Sequence, residues 1–142
     1  MIRNFVPRDT EALVAIWQQA SLLAHPFLDD QFFAQEASNM REIYLPNAAT
    51  WVATDHDCPI GFIAMIGTEI GGLFLLPAFH GRGIGRAMVD HVARELGKLQ
   101  VEVFEKNALG RRFYHSYGFT EIDRYLHEGS GETMLRLAQV SS

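Results

Sequence analysis

A glycine-rich run, His80 to Arg86, separates a strand-like stretch from an amphipathic helical pattern and constrains the fold more than any other feature. The apolar residues 73–76 before it end at Pro77, as a buried strand would. After it, apolar residues recur at helical spacing up to Leu96, and Gly97 provides a stop. A strand that turns through glycines into a helix N-terminus offers unpaired backbone N–H groups and the positive end of the helix dipole. The run predicts an α/β unit with a phosphate-binding loop.

The residues of this loop suit the pyrophosphate of a nucleotide-containing cofactor. Glycine lets the backbone approach an anion closely, and arginine matches phosphate oxygens. The candidate contacts in the loop are His80, Gly81, Arg82, Gly83, Ile84, Gly85 and Arg86. A Walker A loop is excluded because no Gly-Lys-Ser/Thr follows, and the dinucleotide pattern G-x-G-x-x-G fails from either Gly81 or Gly83, which argues against a dinucleotide oxidoreductase. The remaining alternative is a glycine-rich turn that only connects strand and helix.

A second segment, Asn107 to Phe119, follows the strand-like stretch 99–104. Asn107 is a favourable N-cap, and Gly118 would end a helix of about three turns. Asn107 and Tyr114 are separated by about two helical turns and share one face. On this pattern alone, Tyr114 is either a core aromatic with a satisfied hydroxyl or a functional side chain. A phenol with an ordinary pKa of about 10 is protonated at neutral pH and can act as a general acid.

Together the two segments resemble the signatures of the GNAT N-acetyltransferases, and the resemblance covers most of residues 50–137. The run 80–85 is similar to the acetyl-CoA loop of that family, with His80 where Gln or Arg is usual. The segment 107–119 resembles N-x-x-A-x-x-F-Y-x-x-x-G-F, with Gly110 where Ala is usual. The resemblance implies an acetyl-CoA-dependent N-acetyltransferase that moves an acetyl group directly to an amine of a small molecule, peptide or protein.

The resemblance also implies roles for individual parts of the chain. Two parallel strands, 70–77 and 99–104, would splay apart around the acetyl-pantetheine arm, and the β-strand main chain would orient the thioester carbonyl. Tyr114 would protonate the leaving thiolate, without a covalent enzyme intermediate. The implied cofactor-binding residues outside the loop are Phe74, Leu75, Leu76, Asn107 and Arg111. No metal is implied.

The acceptor side has weaker sequence signals. Residues 24–29 resemble small bacterial GNAT proteins of the YjaB type, and in this family the first two helices usually wall the acceptor pocket. The candidate acceptor residues are Trp17, His25, Phe27, Tyr44 and Glu69. The acidic residues of the same region could attract a cationic amine or simply form a solvated helix face; they are Asp29, Asp30, Glu36 and Glu42. An alkyl ammonium must lose a proton before it attacks, and the candidate bases are Glu69, His25 and His80. Each of these residues has a packing or surface role as its alternative, and the alternative function is a non-catalytic acetyl-CoA-binding regulator.

Periodicity predicts a single α/β domain over residues 1–142, with a mixed sheet of about seven strands and four helices. The predicted strands lie near residues 2–6, 50–54, 60–67, 70–77, 99–104, 119–126 and 132–138. The predicted helices are one capped by Asp9 that extends to about residue 24, and others near 30–44, 83–96 and 107–117.

Composition limits the partners. The net charge of −5 and pI of about 5.6 argue against a general nucleic-acid surface, so the local group Arg82, Arg86, Arg111 and Arg112 beside the proposed cofactor segments is informative. The one cysteine, Cys58, excludes an internal disulfide and predicts a free surface thiol. Since no stretch resembles a membrane span or signal peptide, we expect a cytoplasmic protein without membrane partners. Monomer and homodimer both remain open.

Overall fold

The computed structural model describes residues 1–24 and 26–139, with residue 24 described by its backbone alone. Seven strands form one mixed sheet in the order β1-β2-β3-β4-β5-β7-β6, which confirms the predicted α/β class. The strands are β1 (Ile2–Asn4), β2 (Ala49–Asp55), β3 (Cys58–Ile66), β4 (Glu69–Leu75), β5 (Gln100–Phe104), β6 (Phe119–His127) and β7 (Glu132–Gln139). Strands β4 and β5 are parallel, whereas the other neighbouring pairs of this described sheet are antiparallel.

The helices lie where they were predicted, with differences at the start of the first and the end of the second, and the short α3 was not predicted. They are α1 (Thr10–Ala24), α2 (Asp30–Asn39), the single-turn α3 (Leu45–Asn47), α4 (Ile84–Leu96) and α5 (Ala108–Tyr117). The predicted helix 30–44 leaves the α pattern at Met40, because Met40–Tyr44 form a π turn in which the Leu45 N–H donates to the Met40 carbonyl. Pro46 has no N–H for the next i→i−4 bond, so an unbroken α-helix cannot run through this segment.

Asp9 does not cap α1 as predicted. Pro7–Asp9 form a 3₁₀ turn ahead of the helix, and the buried Asp9 carboxylate turns back to accept the Val6 N–H at 3.0 Å. The same carboxylate accepts two N–H groups of Arg3, at 2.8 and 3.0 Å. The hydrogen bonds from Arg3 hold the pKa of Asp9 below its usual value. Asp9 therefore ties β1 to the start of α1.

Each face of the sheet is covered by a different pair of helices. Met88, Val89 and Val92 of α4 are fully buried in the cluster that includes α5, which confirms the predicted apolar stripe except at its end, where Leu96 is exposed. On the opposite face, Leu13 and Trp17 of α1 pack in a second cluster with residues of α2, β2 and β3. Full burial of one large apolar side chain contributes roughly 1.5–3 kcal/mol, so these faces fix how the helices sit.

Strands β4 and β5 separate after a short paired stretch. They pair only through residues 69–70 of β4 and 100–101 of β5, although both strands continue further. The separation begins at Gly71, where the β3–β4 ladder shifts register and leaves this residue as a bulge. This geometry confirms the predicted splay of two parallel strands and opens a gap in the middle of the sheet.

Two further observations concern the surface and the helix lengths. Cys58 is exposed and free, as predicted. It follows a tight β2–β3 turn in which His56 and Asp57 have positive φ angles of 49° and 67°. Within residues 1–24 and 26–139, no helix combines the length and apolar character needed to cross a membrane.

Candidate active site

Two cavities meet at the gap between β4 and β5. One, the loop cleft, has a volume of about 480 Å³ and lies between the end of β4, residues 80–86 and α5. The other, the sheet cavity, has a volume of about 220 Å³ and lies between α1, α2 and the splayed strands. Both are lined by Leu73, Phe74, Asn107 and Tyr114. A molecule in the loop cleft and one in the sheet cavity would meet beside these side chains.

The loop cleft brings together most of the residues that the sequence assigns to cofactor binding. Those that line it are Phe74, Leu75, His80, Gly81, Gly83, Ile84, Gly85, Arg86 and Asn107, together with Tyr114. Leu76, Arg82 and Arg111 are not among its lining residues. Sequence reasoning did not assign the cleft wall formed by Leu109, Gly110, Phe113 and Ser116, although the helical stripe of 107–117 was its available signal.

Backbone donors form the floor of the loop cleft. Gly83 is the N-cap of α4 and has no side chain to satisfy the first N–H groups. The first helical bond back to Gly83 comes from Ala87, whose N–H lies 3.0 Å from the Gly83 carbonyl oxygen. Both Gly81 and Gly83 have φ of 79°, a region that costs other residues roughly 1–2 kcal/mol. The geometry fits the pyrophosphate of acetyl-CoA at a helix N-terminus.

Gly85 serves a different purpose from the other loop glycines. It lies inside the first turn of α4, where an added Cβ would be 3.3 Å from Cε1 of Phe113 on α5. Its missing side chain therefore allows α4 and α5 to approach closely. The sequence predicts that Gly85 also lets the backbone approach an anion. The structure gives Gly85 a packing role, so we assign the close approach to an anion to Gly81 and Gly83.

The direction of the β4 main chain decides which residues face the gap. The Leu76 N–H donates to Ile60 of β3 at 2.9 Å, and successive residues of a strand point their main-chain groups to opposite sides. The main-chain N–H and C=O groups of Phe74 and Leu76 therefore point toward β3. Those of Leu73 and Leu75 point into the gap between β4 and β5. Of the three residues expected to bind pantetheine through the main chain, only Leu75 presents its N–H to the gap.

His80 closes one side of this gap. Its Nε2 lies 3.1 Å from the Leu75 carbonyl oxygen, so Nε2–H is the donor and Leu75 the acceptor. The contact joins the first residue of the glycine loop to the strand whose N–H faces the gap. His80 is thus placed as a loop anchor and is exposed.

Three of the four arginines are held by separate surface contacts. Arg86 stacks 4.7 Å from the centroid of the Tyr117 ring and donates to the Ser116 carbonyl at 3.3 Å. Arg82 lies 5.1 Å from the Phe79 centroid, and Arg111 donates to the Glu105 carbonyl at 3.1 Å. Arg112 is exposed on α5. Only Arg86 of this group lines the loop cleft.

Tyr114 is both a core aromatic and a wall of the two cavities. Its ring packs edge-on against Phe113 and Phe119, with centroids 5.2 and 5.3 Å away. Burial raises the pKa of Tyr114, so its hydroxyl stays protonated across the neutral range. Asn107 caps α5 as predicted, because its Oδ1 accepts the Gly110 N–H at 2.9 Å.

The sheet cavity has an acidic lining. Glu36 of α2, Glu102 of β5 and His127 of β6 line it, and no Lys or Arg is found among its described lining residues. Tyr44 donates its hydroxyl hydrogen to Glu36 Oε1 at 3.2 Å, and Asn39 Nδ2 donates to the same oxygen at 3.2 Å. These neutral donors orient the Glu36 carboxylate without cancelling its charge.

Of the residues predicted for the acceptor side, only Trp17 lines the sheet cavity among those described. Phe27 instead packs edge-on against Phe104, 5.6 Å away, and Tyr44 lies behind Glu36. Burial, and secondarily the Glu36 charge, raises the pKa of Tyr44. Glu69 sits at the paired end of β4, where Arg136 donates to it at 3.1 Å, so it does not reach either cavity. His25 lies outside the described residues.

The fold and the two cavities define a transferase that holds a phosphate-bearing donor on one side and an acceptor on the other. A family model described as an acetyltransferase (GNAT) domain matches residues 46–121. The chain is 35% identical over 124 residues to the peptidyl-lysine N-acetyltransferase YjaB of Salmonella typhimurium, covering 87% of this chain and 85% of that protein.

Solved structures agree. The solution structure of apo-form YjaB from Escherichia coli matches with a TM-score of 0.89 and 32% identity, over 100% of this chain and 98% of that chain. The PaiA N-acetyltransferase of Thermoplasma acidophilum, solved in complex with coenzyme A, shares the fold with a TM-score of 0.85 at 17% identity, over 99% and 98% of the two chains.

The chain therefore belongs to the GNAT acetyltransferase family. It is an acetyl-CoA-dependent N-acetyltransferase with acetyl-CoA as co-substrate, and the resemblance to the YjaB type is confirmed.

Proposed function

We propose that this acetyltransferase acts on the side-chain amine of lysine in a peptide or protein. The observation that carries the proposal is the acidic sheet cavity, which suits a cationic alkyl amine. Glu36 contributes most, since its carboxylate is held by neutral groups, whereas Glu102 is partly neutralised by Arg136 Nη2 at 3.5 Å. Two similar proteins, YjaB of Salmonella typhimurium and YiaC of Escherichia coli, are named peptidyl-lysine N-acetyltransferases, which supports this acceptor class.

We assign the chemistry to the residues at the junction of the cavities. Acetyl-CoA supplies the activated acetyl thioester. The Leu75 N–H faces the gap and is the donor we propose for the acetyl carbonyl oxygen, where negative charge develops. The Tyr114 hydroxyl, kept protonated by burial, donates to the leaving sulfur. The N–H groups at the start of α4, with Gly81 and Gly83, bind the pyrophosphate.

The presence of the sheet cavity beside the loop cleft favours catalysis over the alternative of a non-catalytic acetyl-CoA-binding regulator. Such a regulator needs only the loop cleft, whereas the sheet cavity meets that cleft at Tyr114. The exposed free thiol of Cys58 is consistent with a reducing compartment, and we propose the cytoplasm as the site of action.

Steady-state release of CoA thiol with a lysine-containing peptide tests the acceptor class. The matched acceptor carries norleucine in place of lysine and a blocked N-terminus, so it lacks the amine. We expect turnover with the lysine peptide and none with the norleucine peptide. Turnover confined to small amines would overturn the peptide assignment, and the absence of turnover with every amine would restore the regulatory alternative.

Charge-removing variants test the acidic cavity. Glu36→Gln should raise KM for the lysine peptide by roughly 10-fold, because about 1.4 kcal/mol of attraction to the ammonium is lost. Glu102→Gln should have a smaller effect, since Arg136 already offsets its charge. Glu128→Gln is the control, because Glu128 is exposed and lies outside the sheet cavity. KM for acetyl-CoA should remain unchanged in all three variants.

A further inference from the structure

The sheet cavity contains a histidine that no sequence motif singles out. His127, the last residue of β6, is half-buried and lines this cavity together with Tyr114. Its ring stands edge-on to Phe32 and Phe104, with centroids 6.0 and 5.4 Å away and interplanar angles of 81° and 88°. Two aromatic neighbours from different elements therefore fix the plane of the imidazole at the cavity wall.

A hydrogen bond fixes the remaining freedom of the ring. His127 Nδ1 lies 2.8 Å from Ser130 Oγ, and the Glu132 N–H donates to the same oxygen at 3.2 Å. We assign the ring hydrogen to Nδ1, which donates to the second lone pair of Ser130 Oγ. A Cβ built on Gly129 would be 3.2 Å from His127 Cε1, so the Nδ1–Cε1 edge faces the 128–131 turn. The edge that carries Nε2 faces away from that turn.

We propose that His127 is the general base that deprotonates the acceptor amine, with Ser130 as its positioning residue. This inference rests on the proposed function, since it requires a cationic amine in the sheet cavity. A neutral imidazole has one ring nitrogen with a free lone pair, and this nitrogen can accept the proton of an alkyl ammonium. Of the three bases expected from the sequence, Glu69 is engaged by Arg136 and His80 by the Leu75 carbonyl, and His25 lies outside the described residues.

The charges around His127 support proton acceptance. Among the described residues, Glu36 of α2 and Glu102 of β5 share its cavity, and Glu132 of β7 is its partner in the strand ladder. Glu132 is bound by Lys106 Nζ at 3.0 Å, and Glu102 is offset by Arg136. Glu36 is thus the least neutralised carboxylate near an imidazolium formed in the reaction.

The proton balance of the step is complete. The ammonium gives one proton to His127 Nε2, and the freed nitrogen lone pair forms the bond to the acetyl carbon. The C–S bond breaks with its electron pair on sulfur, which takes the proton of Tyr114. The second amine proton lost on amide formation restores the Tyr114 hydroxyl through solvent. One proton leaves from His127 per turnover.

The pH dependence of kcat/KM tests this base with both the lysine peptide and a simple alkyl amine such as n-butylamine. His127→Gln should lower kcat roughly 100-fold at neutral pH with little change in acceptor KM. Its rate should then rise with pH as solvent deprotonates the amine, so that it approaches wild type in alkali. Ser130→Ala should lower kcat roughly 3–10-fold. It should also displace the part of the pH profile in which the rate rises with pH.

The matched control is His115→Gln, because His115 is exposed on α5 and lines neither cavity. A thermal melt and calorimetric titration with acetyl-CoA establish that each variant folds and binds its co-substrate. A wild-type rate and pH profile for His127→Gln would overturn the inference. If the enzyme acetylates n-butylamine but not the lysine peptide, the lysine-peptide proposal is refuted and the His127 variants can still be tested with n-butylamine. An enzyme that acetylates neither acceptor would contradict both the proposed function and the role of His127.

Discussion

Replacement of Tyr114 by Phe isolates one oxygen atom at the junction of the two cavities. The ring contacts with Phe113 and Phe119 remain, because the substitution removes only the hydroxyl. We therefore expect a loss of stability below about 1 kcal/mol. Acetyl-CoA affinity should also survive, since the loop backbone of α4 is unchanged.

The expected kinetic effect is much larger. A general acid contributes roughly 10²–10⁴-fold, so kcat should fall by at least about 100-fold, equivalent to about 2.7 kcal/mol of transition-state stabilisation. Burial raises the pKa of Tyr114, so the hydroxyl is protonated throughout the physiological range and the defect should be nearly constant from about pH 6 to 9.

Tyr117 provides the matched control on the same helix. Its hydroxyl donates to Asp90 Oδ1 at 2.6 Å, and burial together with Asp90 raises the pKa of Tyr117 to about 12. Tyr117→Phe should cost about 1.5 kcal/mol of stability, or roughly 3–6 °C in Tm, with kcat unchanged. The two variants should thus separate turnover from stability in parallel CoA-release assays and thermal melts. Wild-type turnover in Tyr114→Phe would return this residue to a packing role.

Three other perturbations have distinct signatures. Gly83→Ala should cost about 1 kcal/mol of stability through its positive φ and weaken acetyl-CoA binding in calorimetry, and unchanged affinity would show that the loop backbone does not hold the pyrophosphate. Asp9→Asn should cost roughly 1–2 kcal/mol near neutral pH, because it weakens the contact with Arg3. The pKa of Asp9 is depressed, so this contribution is present above the unfolded pKa of about 4 and is lost as pH falls toward the folded value; a variant whose deficit persists in acid contradicts the ion-pair argument. His80→Ala should raise KM for acetyl-CoA by about 5-fold, because it releases the Leu75 carbonyl. His80→Gln retains a donor and should stay near wild type. Equal KM values for the two variants would exclude the anchor role.

The donor side of the site could be predicted from the sequence because its signals are local. The left-handed Gly83, the start of α4 and the cap at Asn107 each depend on residues a few positions apart. Glycine and capping preferences act at that range, so the chain order already specifies the loop and the helix that carries Tyr114. The sequence did not show which main-chain N–H groups of β4 face the gap, because this depends on which side of the strand pairs with β3.

The helix prediction for residues 30–44 was wrong at its end for a related reason. Apolar spacing continued through Tyr44, but Pro46 removes a backbone donor and the chain adopts a π turn from Met40. This turn places Tyr44 behind Glu36 and outside the sheet cavity. A side chain selected for its aromatic character was therefore found in a supporting position.

Most of the acceptor side could not be predicted, because its residues meet only through long-range packing. Glu36 was one of several acidic residues named in the predicted second-helix region, whereas Glu102 and His127 carried no signal. Glu36, Glu102 and His127 come from α2, β5 and β6, and no sequence spacing relates them. Strand β7 lies between β5 and β6, so the end of β6 is brought to the cavity by the β6–β7 hairpin together with the long-range pairing of β7 with β5. Glu69, although close to the gap in sequence, falls at the paired end of β4. Because local patterns specify the donor loop while long-range packing assembles the sheet cavity, we expect a substitution in β6 or α2 to change acceptor preference without disturbing acetyl-CoA binding.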